Sequence, residues 1–413
     1  MTRTVHIVGA GLAGLSAAMR LTRSGVTVVL HEAAPQAGGR CRSYHDVTLG
    51  MTIDNGNHVI LSGNRSALSF LDLIGARDRM QGPRAADFHF ADLTGNERWQ
   101  LRLGDGKYPW WIFSAGRRVP HTRAVDYLMF ARLMCCPGRK TVGELVNCSG
   151  PLYERLLEPL LLATLNHEPP HASARLAATL LRETVGAGGR ACRPLIAQDG
   201  LSAAFVDPAL EWLKARGVEV RLGHELHAIA FEGGRAARLD FGAETVTLAN
   251  DDTVILAVPP KVAARLLPGL RTPDEFRAIA NVHFRIDDHG TLPPMTGVVH
   301  ATTQWIFAYP GRLSVTISSA DALMAVPREE LARTVWREVA AVAGLPAEPL
   351  PPWQVVRERR ATIAADPRQE AMRPQANTAW PNVFLAGDWT DTGLPPTIES
   401  AIRSGERVAV AAA

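Results

Sequence analysis

The chain has 413 residues, 46% of them hydrophobic and 21% charged, with a formal net charge of +3. That length buries a large core and accommodates two connected domains in a globular enzyme, while so small a charge gives no ground for a nucleic-acid partner. The five cysteines, Cys41, Cys135, Cys136, Cys148 and Cys192, are odd in number and form neither a CxxC pair nor a metal-ligand spacing, so neither a disulfide framework nor a metal site is expected and a reducing cytoplasm fits.

Arg3 leads straight into the first apolar run, so a cleaved leader is not expected. Residues 5–14, VHIVGAGLAG, then read as a nucleotide-binding turn. Val5, Ile7 and Val8 make a buried parallel strand, Gly9 permits the tight turn, and Gly11 lets a pyrophosphate approach the backbone. Gly14 lets the helix over 12–24 pack on the sheet, and the unpaired N–H groups and dipole of its first turn attract a diphosphate. GxGxxG alone is a weak signal. Here Gly25 closes the helix, residues 26–30 (VTVVL) form a second strand, and Glu32 stands at its end, where a carboxylate accepts the ribose hydroxyls.

Gly38, Gly39 and Arg40 follow within a loop too rich in glycine for a helix. From Val5 through Glu32 to Gly39-Arg40 the chain resembles the amine oxidase and phytoene desaturase superfamily of FAD enzymes. The resemblance implies FAD, with the GGR turn bringing backbone and an arginine to the diphosphate; binding is expected to be tight and noncovalent, since no particular cysteine or histidine can be assigned to a flavin linkage. Residues 51–63, MTIDNGNHVILSG, gather Asp54, Asn55, Asn57 and His58 around Gly56. In the resembled family this stretch passes along the isoalloxazine, which gives Gly56 a role in close approach. His58 admits two readings, a histidine held by backbone hydrogen bonds or a proton donor near the reacting carbon, with Asp54 as the alternative donor.

Between 98 and 140 there are nine Lys or Arg and two Asp, a local surplus of +7, interleaved with Trp99, Trp110, Trp111, Phe113, Tyr127 and Phe130. Two readings stand: a peripheral contact with lipid headgroups, or a solvated basic face over core aromatics. Residues 123–192 read as mostly helical, a cap over a pocket; their greasiest stretch, 156–165, contains Glu158 and Pro159 and falls short of the ~20 residues of a spanning helix. Asn166 and His167 precede Pro169-Pro170 at a helix end, and His167 departs from the LNTPP-like wording of the resembled family. A helix of about fifteen residues opened by Gln198–Leu201, a strand over 218–222, a segment beside the adenine over 226–229 and a buried strand over 253–258 return the chain to the nucleotide domain. Strands over 296–301, 305–309 and 313–318, with a turn at Pro310-Gly311-Arg312, predict an antiparallel sheet. An amphipathic surface helix over 329–343, closed by Gly344, follows.

The last signal is NVFLAGDWTDTGLPPTIESAIRSG, a strand over 383–386 ending in Gly387-Asp388 and a helix starting near Thr397. Asp388 suits the ribitol hydroxyls, the N–H groups around Thr397 and Ile398 suit the flavin pyrimidine carbonyl, and Gly405 permits close packing. With DNGNHVILSG and the ERRAT of residues 358–362, this wording resembles the squalene-associated FAD-dependent desaturases. The resemblance implies an α/β fold: a Rossmann-type FAD-binding domain from residues 1–85, 195–270 and 355–413, and a mixed α+β substrate domain from 86–194 and 271–354 with a helical cap. It also implies a long-chain isoprenoid substrate and an unidentified electron donor. The implied reaction is reductive dehydroxylation of hydroxysqualene to squalene for hopanoid synthesis, with hydride passing from flavin N5 to an allylic cation. The alternatives are a desaturase of a carotenoid precursor, an amine oxidase, for which no lysine and aromatic cage is evident, and a flavin-binding protein without catalysis.

Overall fold

The computed structural model describes residues 3–135, 138–290 and 292–412, so Cys136 lies outside the described residues. Its nucleotide domain is built on a five-stranded sheet in the order Glu219–Leu222, Thr27–Glu32, Thr4–Val8, Thr253–Leu256, Val383–Leu385. Every pair is parallel, and Val5, Ile7, Val254, Ile255 and Leu256 are buried, as a parallel sheet covered on both faces requires. The helix Leu12–Arg23 packs on it and against the helix Ile398–Ala411. Two glycines set these approaches. A Cβ on Gly14 would lie 1.9 Å from the Gly9 carbonyl oxygen, and one on Gly405 would lie 2.2 Å from that of Ala13.

A second, seven-stranded sheet runs Trp353–Ile363, Phe276–Arg285, Arg312–Ile317, Trp305–Tyr309, Met295–Val299, Asp87–Asp92, Glu97–Arg102. It is antiparallel except where Met295–Val299 meets Asp87–Asp92. The expected hairpin is present, with Tyr309 opposite Arg312 across Pro310-Gly311. Helix Arg328–Ala343 is more than surface: Leu331, Val335, Trp336 and Val339 are buried, and Trp336 meets Phe284 of the sheet at 5.1 Å between ring centroids. A domain boundary at 355 cuts through the strand Trp353–Ile363, which hydrogen-bonds along Phe276–Arg285. By sheet membership, residues 355–363 therefore go with the large sheet, and the parallel sheet resumes at Val383.

Short helices Leu128–Cys135, Glu158–Leu165 and Ala174–Glu183 form a layer over one end of this sheet. Leu157, Leu161, Leu165 and Leu181 are fully buried within it. Asn166 ends the second of these helices in the left-handed conformation, φ 47°. His167 behind it is buried and accepts a hydrogen bond from Arg277 Nε at 3.2 Å, a structural role.

Candidate active site

A cavity of about 1310 Å³ runs from the glycine turn of the parallel sheet to the helical layer, larger than the roughly 300–1,000 Å³ of an ordinary small-ligand site. At its nucleotide end Gly9 holds φ +106°, and a Cβ there would lie 2.3 Å from Ala257 O. Gly11 differs: a Cβ there would meet no atom within 4 Å, so its side-chain space belongs to the cavity. The carboxylate of Glu32 accepts from Ala10 N (2.7 Å) and Ala34 N (2.9 Å), which fixes it at the cavity lip with lone pairs to spare. Gly38 N donates to Ala10 O at 2.8 Å and a Cβ on Gly39 would lie 3.6 Å from Gly11 Cα, so the two glycine turns form one cradle.

Further along, the Arg40 guanidinium donates to Ala361 O (2.6 Å) and Asp388 Oδ1 (2.7 Å). Asp388 holds the Arg40 pKa above its ordinary value, and its Oδ2 makes no hydrogen bond among the described residues, leaving it for a ligand hydroxyl. Gly387 N donates to Ser404 Oγ at 2.8 Å. Thr397 caps the terminal helix by accepting from Ser400 N at 3.2 Å, so the helix start at Thr397-Ile398 faces the cavity. Arg373, which no motif singled out, is buried beneath this loop and donates to the carbonyls of Asp388, Thr390 and Leu394. It fixes the turn that presents Asp388.

The segment around Gly56 divides. Asp54 is buried, accepts from Ser43 Oγ (2.6 Å) and Leu201 N (2.8 Å), and does not line the cavity. It ends the strand Met51–Asp54 directly opposite Ser43 and anchors that hairpin to the 200–202 turn, so it is no proton donor. Gly56 lines the cavity, and a Cβ there would lie 3.2 Å from Asn281 Nδ2. His58 also lines the cavity, and its ring makes no hydrogen bond among the described residues, which removes the reading in which backbone holds it. Burial pushes its pKa down to about 4, against the opposing pull of Asp54, so the ring is a neutral N–H donor at pH 7.

Beyond His58 the walls turn apolar: Phe88, Phe90, Leu101 and Leu103 from the sheet edge, Trp111 and Ile112 from a short 3₁₀ turn, and Phe130, Met134, Leu156 and Leu160 from the helical layer. The basic, aromatic segment splits across this wall. Trp99, Trp111, Tyr127 and Phe130 are core, with Trp111 only 6% exposed, whereas Trp110 is 73% and Phe113 67% exposed, and Tyr108, Val125 and Leu128 are exposed as well. Arg102 pairs with Asp87, Arg123 with Asp126, and Arg98 and Arg118 donate to backbone carbonyls. Among the described residues no helix is long and apolar enough to cross a membrane, and no group of three or more His, Cys, Asp or Glu could hold a metal ion.

A glycine cradle, a carboxylate at the cavity lip, an Arg40–Asp388 pair and a helix start, all on one cavity, fit an ADP moiety joined to a flavin. The chain belongs to the flavin containing amine oxidoreductase family, which it matches over residues 12–413, and FAD is its cofactor. It is 56% identical over 410 residues to a hydroxysqualene dehydroxylase of Rhodopseudomonas palustris, covering 99% of this chain and 98% of that protein. It is 52% identical over 409 residues to a hydroxysqualene dehydroxylase of Sinorhizobium fredii, with the same coverage of 99% and 98%. A putrescine oxidase bound to putrescine has the same fold, with a TM-score of 0.71 at 18% identity over 99% of this chain and 98% of that one. The flavoprotein fold, FAD and oxidoreductase class expected from the sequence therefore hold.

Proposed function

We propose that the protein reductively dehydroxylates hydroxysqualene to squalene, a precursor for hopanoid synthesis. The observation that carries this is full-length likeness, at 56% and 52% identity, to two hydroxysqualene dehydroxylases. The long apolar arm of the cavity supports it, since a C30 chain needs such a wall along its length. Reduced FAD, when bound, supplies a hydride; with one proton the alcohol becomes hydrocarbon and water. Gly9, Gly11, Gly14, Glu32, Gly39, Arg40, Gly56, Gly387, Asp388, Thr397 and Ile398 are assigned to holding and approaching the cofactor. The dry arm keeps water from an allylic cation, and neutral His58 donates a hydrogen bond to the departing oxygen.

The substrate partitions into lipid, so the protein works from the cytoplasmic membrane surface without spanning it. Trp110 and Phe113 enter the headgroup region beside Lys107, Arg117 and Arg123. The electron donor that reduces FAD is a separate partner. Anaerobic incubation of the dithionite-reduced protein with hydroxysqualene tests the reading: squalene is the expected product. No squalene, together with dehydrogenation of a carotenoid precursor by the oxidised protein, would replace it with a desaturase.

A further inference from the structure

Two neighbouring strands of the large sheet and the loop before His58 bring three uncharged polar side chains together on the cavity wall. Asn281, on Phe276–Arg285, is 0% exposed and stands directly opposite Thr316, on Arg312–Ile317. Thr316 Oγ donates to Asn281 Oδ1 at 2.8 Å and accepts from Nδ2 of Asn57, on the flavin-side loop, at 3.0 Å. All three line the cavity among Ile279, Met295 and Phe307. Polar groups on such a wall are costly unless they are paired, yet their mutual bonds do not exhaust them. Each asparagine nitrogen carries two hydrogens. Asn57 Nδ2 spends one on Thr316, and Asn281 Nδ2 has only a long contact of 3.4 Å to Asn55 O. A surplus of N–H donors within two hydrogen bonds of each other calls for a ligand atom with lone pairs.

We infer that Asn57, Asn281 and Thr316 seat the hydroxyl oxygen of the substrate and set the preference for an alcohol over a hydrocarbon of the same length. The assignment rests on the dehydroxylation reading above. A site that hydrogen-bonds a hydroxyl rejects the analogue lacking it, because buried donors are then left unpaired. The same N–H groups stabilise the charge that gathers on oxygen as its bond to carbon stretches.

The test uses the oxidised holoprotein, which binds without turning over, titrated with hydroxysqualene and with squalene in detergent micelles while the flavin absorbance is followed. Wild type is expected to favour the alcohol. Thr316→Val removes the hub of the cluster and should lower that preference about tenfold, the upper range for one neutral hydrogen bond, with squalene affinity changed less than about twofold. Thr316→Ser should restore it. Asn281→Leu gives the same selective loss if Thr316→Val does not retain flavin. An unchanged ratio in these variants, or equal loss of both ligands, overturns the assignment. Preference for the alcohol without conversion to squalene in the anaerobic assay sinks the reaction and leaves the hydroxyl seat; conversion with an unaltered ratio in Thr316→Val does the reverse.

Discussion

Lowering the pH from 7 to 5 should weaken the fold through two histidines remote from the chemistry, His31 and His283. His31 is wholly buried, with Nε2 3.2 Å from His6 Nδ1 and Nδ1 3.0 Å from His224 Nδ1. Burial first, then the neighbouring His6 and His224, push its pKa to about 3. His283, also wholly buried, has Nδ1 2.7 Å from Ser314 Oγ, and burial followed by nearby Arg312 pushes it to about 3. Both stay neutral in the fold, while an unfolded chain protonates them near 6.5. Below that value the unfolded state binds more protons, so stability falls with pH and goes on falling until the folded values are reached. Each pH unit is worth 1.36 kcal/mol per group. From 6.5 to 5 the loss is about 2 kcal/mol for each histidine and about 4 kcal/mol for the pair, a large part of the typical 5–15 kcal/mol. Urea unfolding with saturating FAD at pH 7, 6 and 5, followed by tryptophan fluorescence, reads this directly. His31→Gln and His283→Gln should each remove about 2 kcal/mol of the loss between pH 7 and 5. Equal midpoints at pH 7 and 5, or an unaltered slope in both variants, would refute the reasoning.

Three further outcomes follow from the cavity. Gly11→Val should abolish flavin binding and leave the apoprotein's thermal midpoint nearly unchanged, whereas Gly14→Ala, whose Cβ would meet Gly9 O at 1.9 Å, should lower the midpoint itself; absorbance at 450 nm and calorimetry separate the two. His58→Leu should keep its flavin and lose about 10²-fold in dehydroxylation rate, as the loss of one donor to the departing oxygen would. Because the His58 pKa is about 4, no activity loss centred near pH 6.5 should belong to this residue, as a pH profile of wild type and variant would reveal. Co-sedimentation with anionic liposomes should weaken in salt and fall in Trp110→Ala, Phe113→Ala and in the joint change of Arg117 and Arg123 to Gln, since each basic group near an anionic leaflet contributes about 1 kcal/mol. Binding unaffected by all of these would make the segment an ordinary solvated face.

The geometry of the candidate nucleotide end was legible because its parts are short-range: Gly9, Gly11, Gly14 and Glu32 lie within one βαβ unit, where spacing and geometry are the same thing. The Asp388 to Thr397 end was legible for the same reason. What failed was orientation. Asp54 and His58 are four residues apart, yet one side chain is fastened to Ser43 and Leu201 and the other opens on the cavity. Trp110 and Trp111 are adjacent and differ from mostly exposed to buried, because a single 3₁₀ turn sends them to opposite sides. Arg373, Asn281 and Thr316 carry no motif at all, since their partners are brought to them by sheet pairing and loop packing. The boundary at 355 missed a strand whose partner lies some 80 residues earlier in the chain.

The terminal helix has a consequence for how the protein is made. Ser404 holds Gly387, the carbonyl of Ile402 receives Ser16 Oγ, and Gly405 lies against the first helix. These contacts join the first nucleotide-binding turn to residues that leave the ribosome about 390 positions later. The early βαβ unit can form while synthesis continues, but the cavity has no wall at Thr397-Ile398 until that helix docks. Flavin capture therefore waits for that helix, and a chain released anywhere before Ser404 should be colourless.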